Sequence, residues 1–93
     1  MRKLININEK LIKSNHIKET IQSKDYVIFN TYTGLFYGLQ DTSAFVWELI
    51  DGEHSIEMII SNIINTYEGS NAEVISEDIV ELINTFKEEG LIL

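Results

Sequence analysis

The sequence predicts an α+β domain in which a three-stranded antiparallel sheet is followed by three helices. Three observations predict it. Between residues 17 and 39, short aromatic and β-branched runs alternate with turn residues. Beyond residue 41 the apolar spacing changes to the three-and-four step of a helix, in three separate segments. Cap-type residues stand before those segments, and Gly52, Gly69 and Gly90 stand just past their ends.

The first fifteen residues, "MRKLININEKLIKSN", alternate weakly at Leu4, Ile5 and Ile7, and Leu11 and Ile12 follow a polar gap. They predict an arm or edge segment over residues 1–15, ahead of a domain over 16–93. "HIKETIQ" predicts the first strand, with Ile17 and Ile21 among polar residues. "DYVIFN" predicts the second on Tyr26, Val27, Ile28 and Phe29. "TYTG" is a turn ending at Gly34. "LFYGL" then resumes extended structure, with Leu35, Tyr37 and Leu39 on one face and Phe36 and Gly38 on the other.

At "QDTS" the character changes. Asp41, Thr42 and Ser43 are cap types, and the run from Ala44 to Ile50 is apolar except for Glu48. A short helix this apolar is buried on most sides. Ser55 caps a second helix whose inner face is Ile56, Ile59, Ile60, Ile63 and Tyr67. Trp47 and Tyr67 are assigned to the core. "EGSNAEV" reads as a loop, and Ser76 as the cap of a third helix with Ile79, Leu82, Ile83 and Phe86 inward. Glu77 and Asp78 would then favour the positive end of its dipole. "LIL" closes the chain against the core.

Composition narrows the function. The chain has 93 residues, which is one small domain. It has no cysteine, so disulfides, zinc–thiolate sites and thiol catalysis are excluded. The apolar runs are too short for a membrane span, and the basic start lacks a signal-peptide core, so the expectation is a cytoplasmic protein with no membrane partner. Formal net charge is −8. It is distributed unevenly: the first 24 residues hold six of the seven cations, whereas thirteen of the fifteen acids follow. An acidic body disfavours phosphate backbones.

No catalytic constellation is evident. His16 and His54 lack ligand-spaced partners, the serines lack a nucleophile-elbow setting, and the glycines form no phosphate loop. The pairs Glu77/Asp78 and Glu88/Glu89 read as solvated helix ends. The chain therefore reads as a binding protein, with no metal. Its unusual feature is "LFYGL". One of Phe36 and Tyr37 must leave the principal core, and no charge guards the strand. Edge strands are ordinarily protected by lysine, proline or a bulge.

"TGLFYGLQDTSAFVWELIDG" (33–52), "SIEMIISNIINTY" (55–67) and "EDIVELINTFKEEGLI" (77–92) together resemble the PqqD-like family, the recognition elements for precursor peptides of ribosomal natural products. Gly34 with its aromatic pair, the Thr42-Ser43-Ala44 joint, Trp47 with Asp51-Gly52, and Asp78 with Gly90-Leu91 carry the likeness. It is nearest to the stand-alone proteins of lasso-peptide clusters. Gln40 departs from the asparagine of many members. The resemblance implies a winged-helix-like fold, no cofactor, and a precursor leader peptide as partner. The leader would add as a fourth strand to the third strand, in a groove beside the third helix, for delivery to a leader peptidase or another maturation enzyme. It implies Leu35, Tyr37, Leu39, Leu82 and Phe86 as pocket walls, Phe36 and Gly38 as members of the paired edge, and Asp78, Glu81 and Thr85 as neighbours for polar or basic leader residues. The alternatives are a peptide chaperone for a radical SAM maturase, a homo-oligomer pairing the same strand, and a winged-helix DNA-binding protein. The acids of residues 76–89, outnumbering Lys87 five to one, weigh against DNA.

Overall fold

The computed structural model describes residues 6–67, 69 and 71–93; the alternation at Leu4 and Ile5 lies outside them. The element order is β1 (Ile17–Gln22), β2 (Asp25–Asn30), β3 (Leu35–Leu39), α1 (Asp41–Glu48), α2 (Ile56–Thr66) and α3 (Ala72–Glu88). The strands form an antiparallel meander in the order β1-β2-β3. The predicted three strands and three helices are therefore present. Ser23 and Lys24 make the first hairpin turn, with Ser23 at φ 60°. Thr31 to Gly34 make the second. There Gly34 takes φ 78°, and its N–H donates to the Asn30 carbonyl at 2.8 Å.

Tyr26, Ile28 and Asn30 alternate inward along β2 and are buried. Against them pack Ala44, Val46 and Trp47 of α1, Ile56, Ile59 and Ile63 of α2, and Ile79, Ile83 and Phe86 of α3. Trp47 is fully buried, as its sequence position predicts, and meets Phe86 edge-on with ring centroids 5.4 Å apart. Its Nε1 donates to Glu19 Oε2 at 3.2 Å, so the indole's polar end is satisfied. Lys13 Nζ lies 4.7 Å from the indole centroid and 3.5 Å from Glu19. One side chain thus joins the arm, β1 and α1.

The arm threads between the start of α2 and the chain's last residues. The N–H groups of Ile56 and Gly52 donate to the carbonyls of Glu9 and Leu11 at 3.0 and 2.8 Å. Ser14 N–H donates to Leu91 O at 3.0 Å, and Leu93 N–H to Ile12 O at 2.9 Å. Leu11 is fully buried, and Lys87 pairs with Glu9 at 2.8 Å. Burial of a leucine stabilises by about 1.5–3 kcal/mol.

Three sequence expectations are corrected. The third helix starts at Ala72, not after Ser76. Asn71 caps it, accepting from Glu73 N–H at 2.9 Å and Val74 N–H at 3.2 Å, while the Ser76 hydroxyl donates within the helix to Ala72 O. The extra turn brings Ile75 against the core, and Glu73 replaces Glu77 and Asp78 as the acid of the first turn. The first helix is capped at Gln40, one residue before the cap-type triplet. The Ser43 hydroxyl reaches back, accepting from Gln40 N–H at 3.0 Å and donating to Gln40 O at 2.7 Å. Tyr67, expected in the core, is 37% exposed. It caps α2 with ψ 76°, a backbone that leaves the helix, so the four-residue step from Ile63 no longer carries it inward.

Candidate functional site

Among the described residues β3 is an edge strand, paired on one side only. The hydrogen-bond parity of the sheet decides which of its peptide groups are open. Thr31 N–H donates to His16 O across to the β1 side. Peptide groups in antiparallel strands alternate in direction, so Phe29 and Val27 also face β1, and Tyr26, Ile28 and Asn30 face β3. Their register partners Leu39, Tyr37 and Leu35 therefore point their N–H and C=O groups back into the sheet. Phe36 and Gly38 point theirs outward, where nothing among the described residues pairs with them. The next outward position, Gln40, is closed by Ser43. The open edge is thus two residues long.

Side chains divide the other way. Tyr37 and Leu39 face the helices; Leu39 is buried, and Tyr37 packs half-buried against the core. Leu35, on the same face, is 52% exposed. Phe36 stands on the outer face, 69% exposed, its ring 4.5 Å from that of Phe29 on β2. Of the aromatic pair, then, Phe36 leaves the core.

The end of α3 is fastened to the hairpin by Glu89. Tyr37 Oη donates to Glu89 Oε1 at 2.6 Å, and buried Asn30 donates from Nδ2 to Glu89 O at 2.9 Å. That carboxylate, together with partial burial, raises the Tyr37 phenol above its ordinary value. Gly90, at φ 73°, ends the helix in a Schellman turn, with Leu91 N–H donating to Phe86 O at 2.9 Å. From this clasp α3 leads back to its Asn71 cap. Asp78, Glu81, Leu82 and Thr85 share one helical face. Asp78, Glu81 and Thr85 are exposed, Leu82 is half-buried, and the Thr85 hydroxyl is bonded to Glu81 O. Phe86 is not on the surface; it lies behind this face against Trp47.

Where β3 gives way to α1 a cleft of about 400 Å³ opens. Thr42 and Ser43 of α1, Ile63 and Tyr67 of α2, and Ile75, Asp78, Ile79 and Leu82 of α3 line it. The structure places Leu35, Tyr37 and Gly38 on β3, and Asp78, Glu81, Leu82 and Thr85 on one face of α3, of which Asp78 and Leu82 line the cleft. It sets Phe36 on the far face of the sheet, and Leu39 and Phe86 underneath. Sequence reasoning missed Ile75 and the exposed Tyr67 as cleft walls, and Asn30 and Glu89 as the clasp. The four-residue step from Ile75 to Ile79 was the available signal. Among the described residues no cluster of three potential metal ligands occurs, and no helix is long and apolar enough to cross a membrane.

Solved structures share this architecture. One, described as TbiB1 in complex with the TbiA(beta) leader peptide, has a TM-score of 0.80 at 17% identity, covering 87% of this chain and 93% of that one. Another, a lasso peptide synthetase B1 complexed with the leader peptide, has a TM-score of 0.80 at 21% identity, covering 91% and 99%. At these identities the likeness establishes the fold. No curated protein sequence matches the chain. Residues 25–92, which span β2, β3 and all three helices, match the family described as coenzyme PQQ synthesis protein D (PqqD), and the chain belongs to that family.

Proposed function

We propose that this protein binds the leader segment of a ribosomally made precursor peptide by strand addition to β3, and delivers it to a separate maturation enzyme of lasso-peptide biosynthesis. The observation that carries the reading is the uncharged edge of β3, whose Phe36 and Gly38 peptide groups face outward beside an apolar cleft. Two proteins of the same fold are described in complex with leader peptides, which supports it. In this reading Phe36 and Gly38 pair with the leader backbone. Leu35, Tyr37 and Leu82 meet alternate leader side chains, Asp78, Glu81 and Thr85 flank them, and Leu39 and Phe86 support the groove from behind. The protein itself makes or breaks no bond; a leader peptidase or other maturation enzyme does so.

Gly38→Pro tests it. Proline deletes the outward N–H and leaves the β2 ladder, which uses Tyr37 and Leu39, intact. We expect about a three- to tenfold loss of affinity for the synthetic leader in calorimetric titration, with circular dichroism unchanged. A folded Gly38→Pro protein that binds as tightly as wild type overturns strand addition at this edge.

A further inference from the structure

Gly38 has no reason within its own fold to be glycine. Its φ lies outside the left-handed region, and a Cβ built on it meets no heavy atom within 4 Å. Glycine inside a strand weakens it, and one that neither turn nor crowding requires marks a place where something else approaches. Around the missing side chain the outer face of the sheet is apolar. Val27 stands directly across on β2, and Phe36 stands two residues along β3, resting on Phe29.

We propose that the gap at Gly38 is a second subsite, on the face of the sheet away from the helices, that takes one large apolar or aromatic side chain of the added strand. The proposal rests on the strand-addition reading. The pleat then dictates the occupant. In a strand of either direction, residues alternate between the two faces in step with β3. Those meeting Tyr37 point into the groove, and the residue beside Gly38 points to the outer face. No side chain stands opposite it, so its own can fold over Gly38 onto Val27 and the edge of Phe36. An aromatic group placed across from a strand glycine covers the bared backbone. The ligand is thereby read on both faces of the sheet, and Phe36, outside the groove, acquires a contact.

The test uses the full chain and a phage-displayed library of randomised peptides. Clones selected on wild type are synthesised and scanned with alanine, and protection of the Phe36 and Gly38 amides is followed by NMR hydrogen exchange. We expect both amides to be protected, and one aromatic or large apolar position whose alanine replacement costs about tenfold in affinity. On Gly38→Val the same replacement should cost less than about twofold, because valine occupies the gap; Gly38→Ala should be intermediate and guards against a folding defect. Protected amides with equal alanine costs on all three proteins overturn the subsite and leave strand addition standing. A library yielding no peptide that protects those amides overturns both.

Discussion

Replacing Asn30 with alanine removes the side chain that sets the distance between the hairpin and α3. Asn30 is 1% exposed. It donates to Glu89 O at 2.9 Å and accepts from Tyr32 N–H at 2.9 Å and Thr33 N–H at 3.3 Å. A net hydrogen bond stabilises by about 0.5–1.5 kcal/mol, so two short bonds and a longer one give about 2–4 kcal/mol. Tyr32 and Thr33 are exposed and can turn to water, which brings the expected cost to about 2–3 kcal/mol. A domain of this length has a stability of about 5–14 kcal/mol, so the variant stays folded. At about 4–8 °C per kcal/mol, its melting temperature falls by about 8–24 °C. Urea unfolding followed by circular dichroism measures the free energy, and calorimetry the midpoint. A loss below about 0.5 kcal/mol refutes the clasp, because a buried amide with three partners cannot be replaced so cheaply. The folded variant should also bind leader more weakly, since β3 and the end of α3 are no longer held in register.

Other outcomes follow from the same structure. Trp47→Phe loses the bond to Glu19 and the cation above the indole, and should cost about 1–3 kcal/mol in urea unfolding. Asp51 is held down to about 2, first by the Glu53 N–H, then by the ring and N–H of His54. Its contribution is therefore present above about pH 3.9 and lost as pH falls toward about 2. Asp51→Asn should flatten the acid limb of melting temperature against pH in that window, by a small amount because the site is solvated. Asp78→Asn should weaken leader binding by less than about fivefold, and the difference should shrink with added salt. Its melting temperature should not move, because Asp78 lies beyond the first turn of α3, where the dipole no longer favours it. Equal affinities at two salt concentrations would refute an electrostatic role for that wall.

The order of elements was legible because its signals are local. Tyr26 to Phe29 and Leu35 to Leu39 declare strands by residue type, and the isoleucines of α2 declare a face by spacing. The unguarded edge was also legible, because the absence of charge in "LFYGL" is itself a pattern. The start of α3 was ambiguous: Asn71 and Ser76 are both cap types, each with an acid close behind, and only the continuation of apolar spacing back to Ile75 separates them. Leu11 was illegible for a different reason. Its burial depends on a thread between Gly52, Ile56 and Leu91, contacts far away in sequence. The Asn30–Glu89 bond, 59 residues in span, is of the same kind. The direction of the open peptide groups follows from hydrogen bonding across the sheet, which no residue type encodes.

The shortness of the open edge decides how such a site works. Phe36 and Gly38 offer two N–H and two C=O groups, and Gln40 ends the row by turning into α1. Four backbone bonds at about 0.5–1.5 kcal/mol each contribute about 2–6 kcal/mol. Association costs about 4–15 kcal/mol before any ordering of the peptide. The ladder alone therefore leaves a peptide unbound or barely held. Ion pairs at Asp78 or Glu81 add only about 0.2–1 kcal/mol each. An apolar side chain buried from water contributes about 1.5–3 kcal/mol, and two or three of them reverse the balance. The cleft walled by Ile63, Ile75, Ile79 and Leu82 opens where the ladder stops, so an anchor can enter it from the same strand. The backbone bonds hold any sequence as an extended strand, and the anchors determine which sequence is held and in which register.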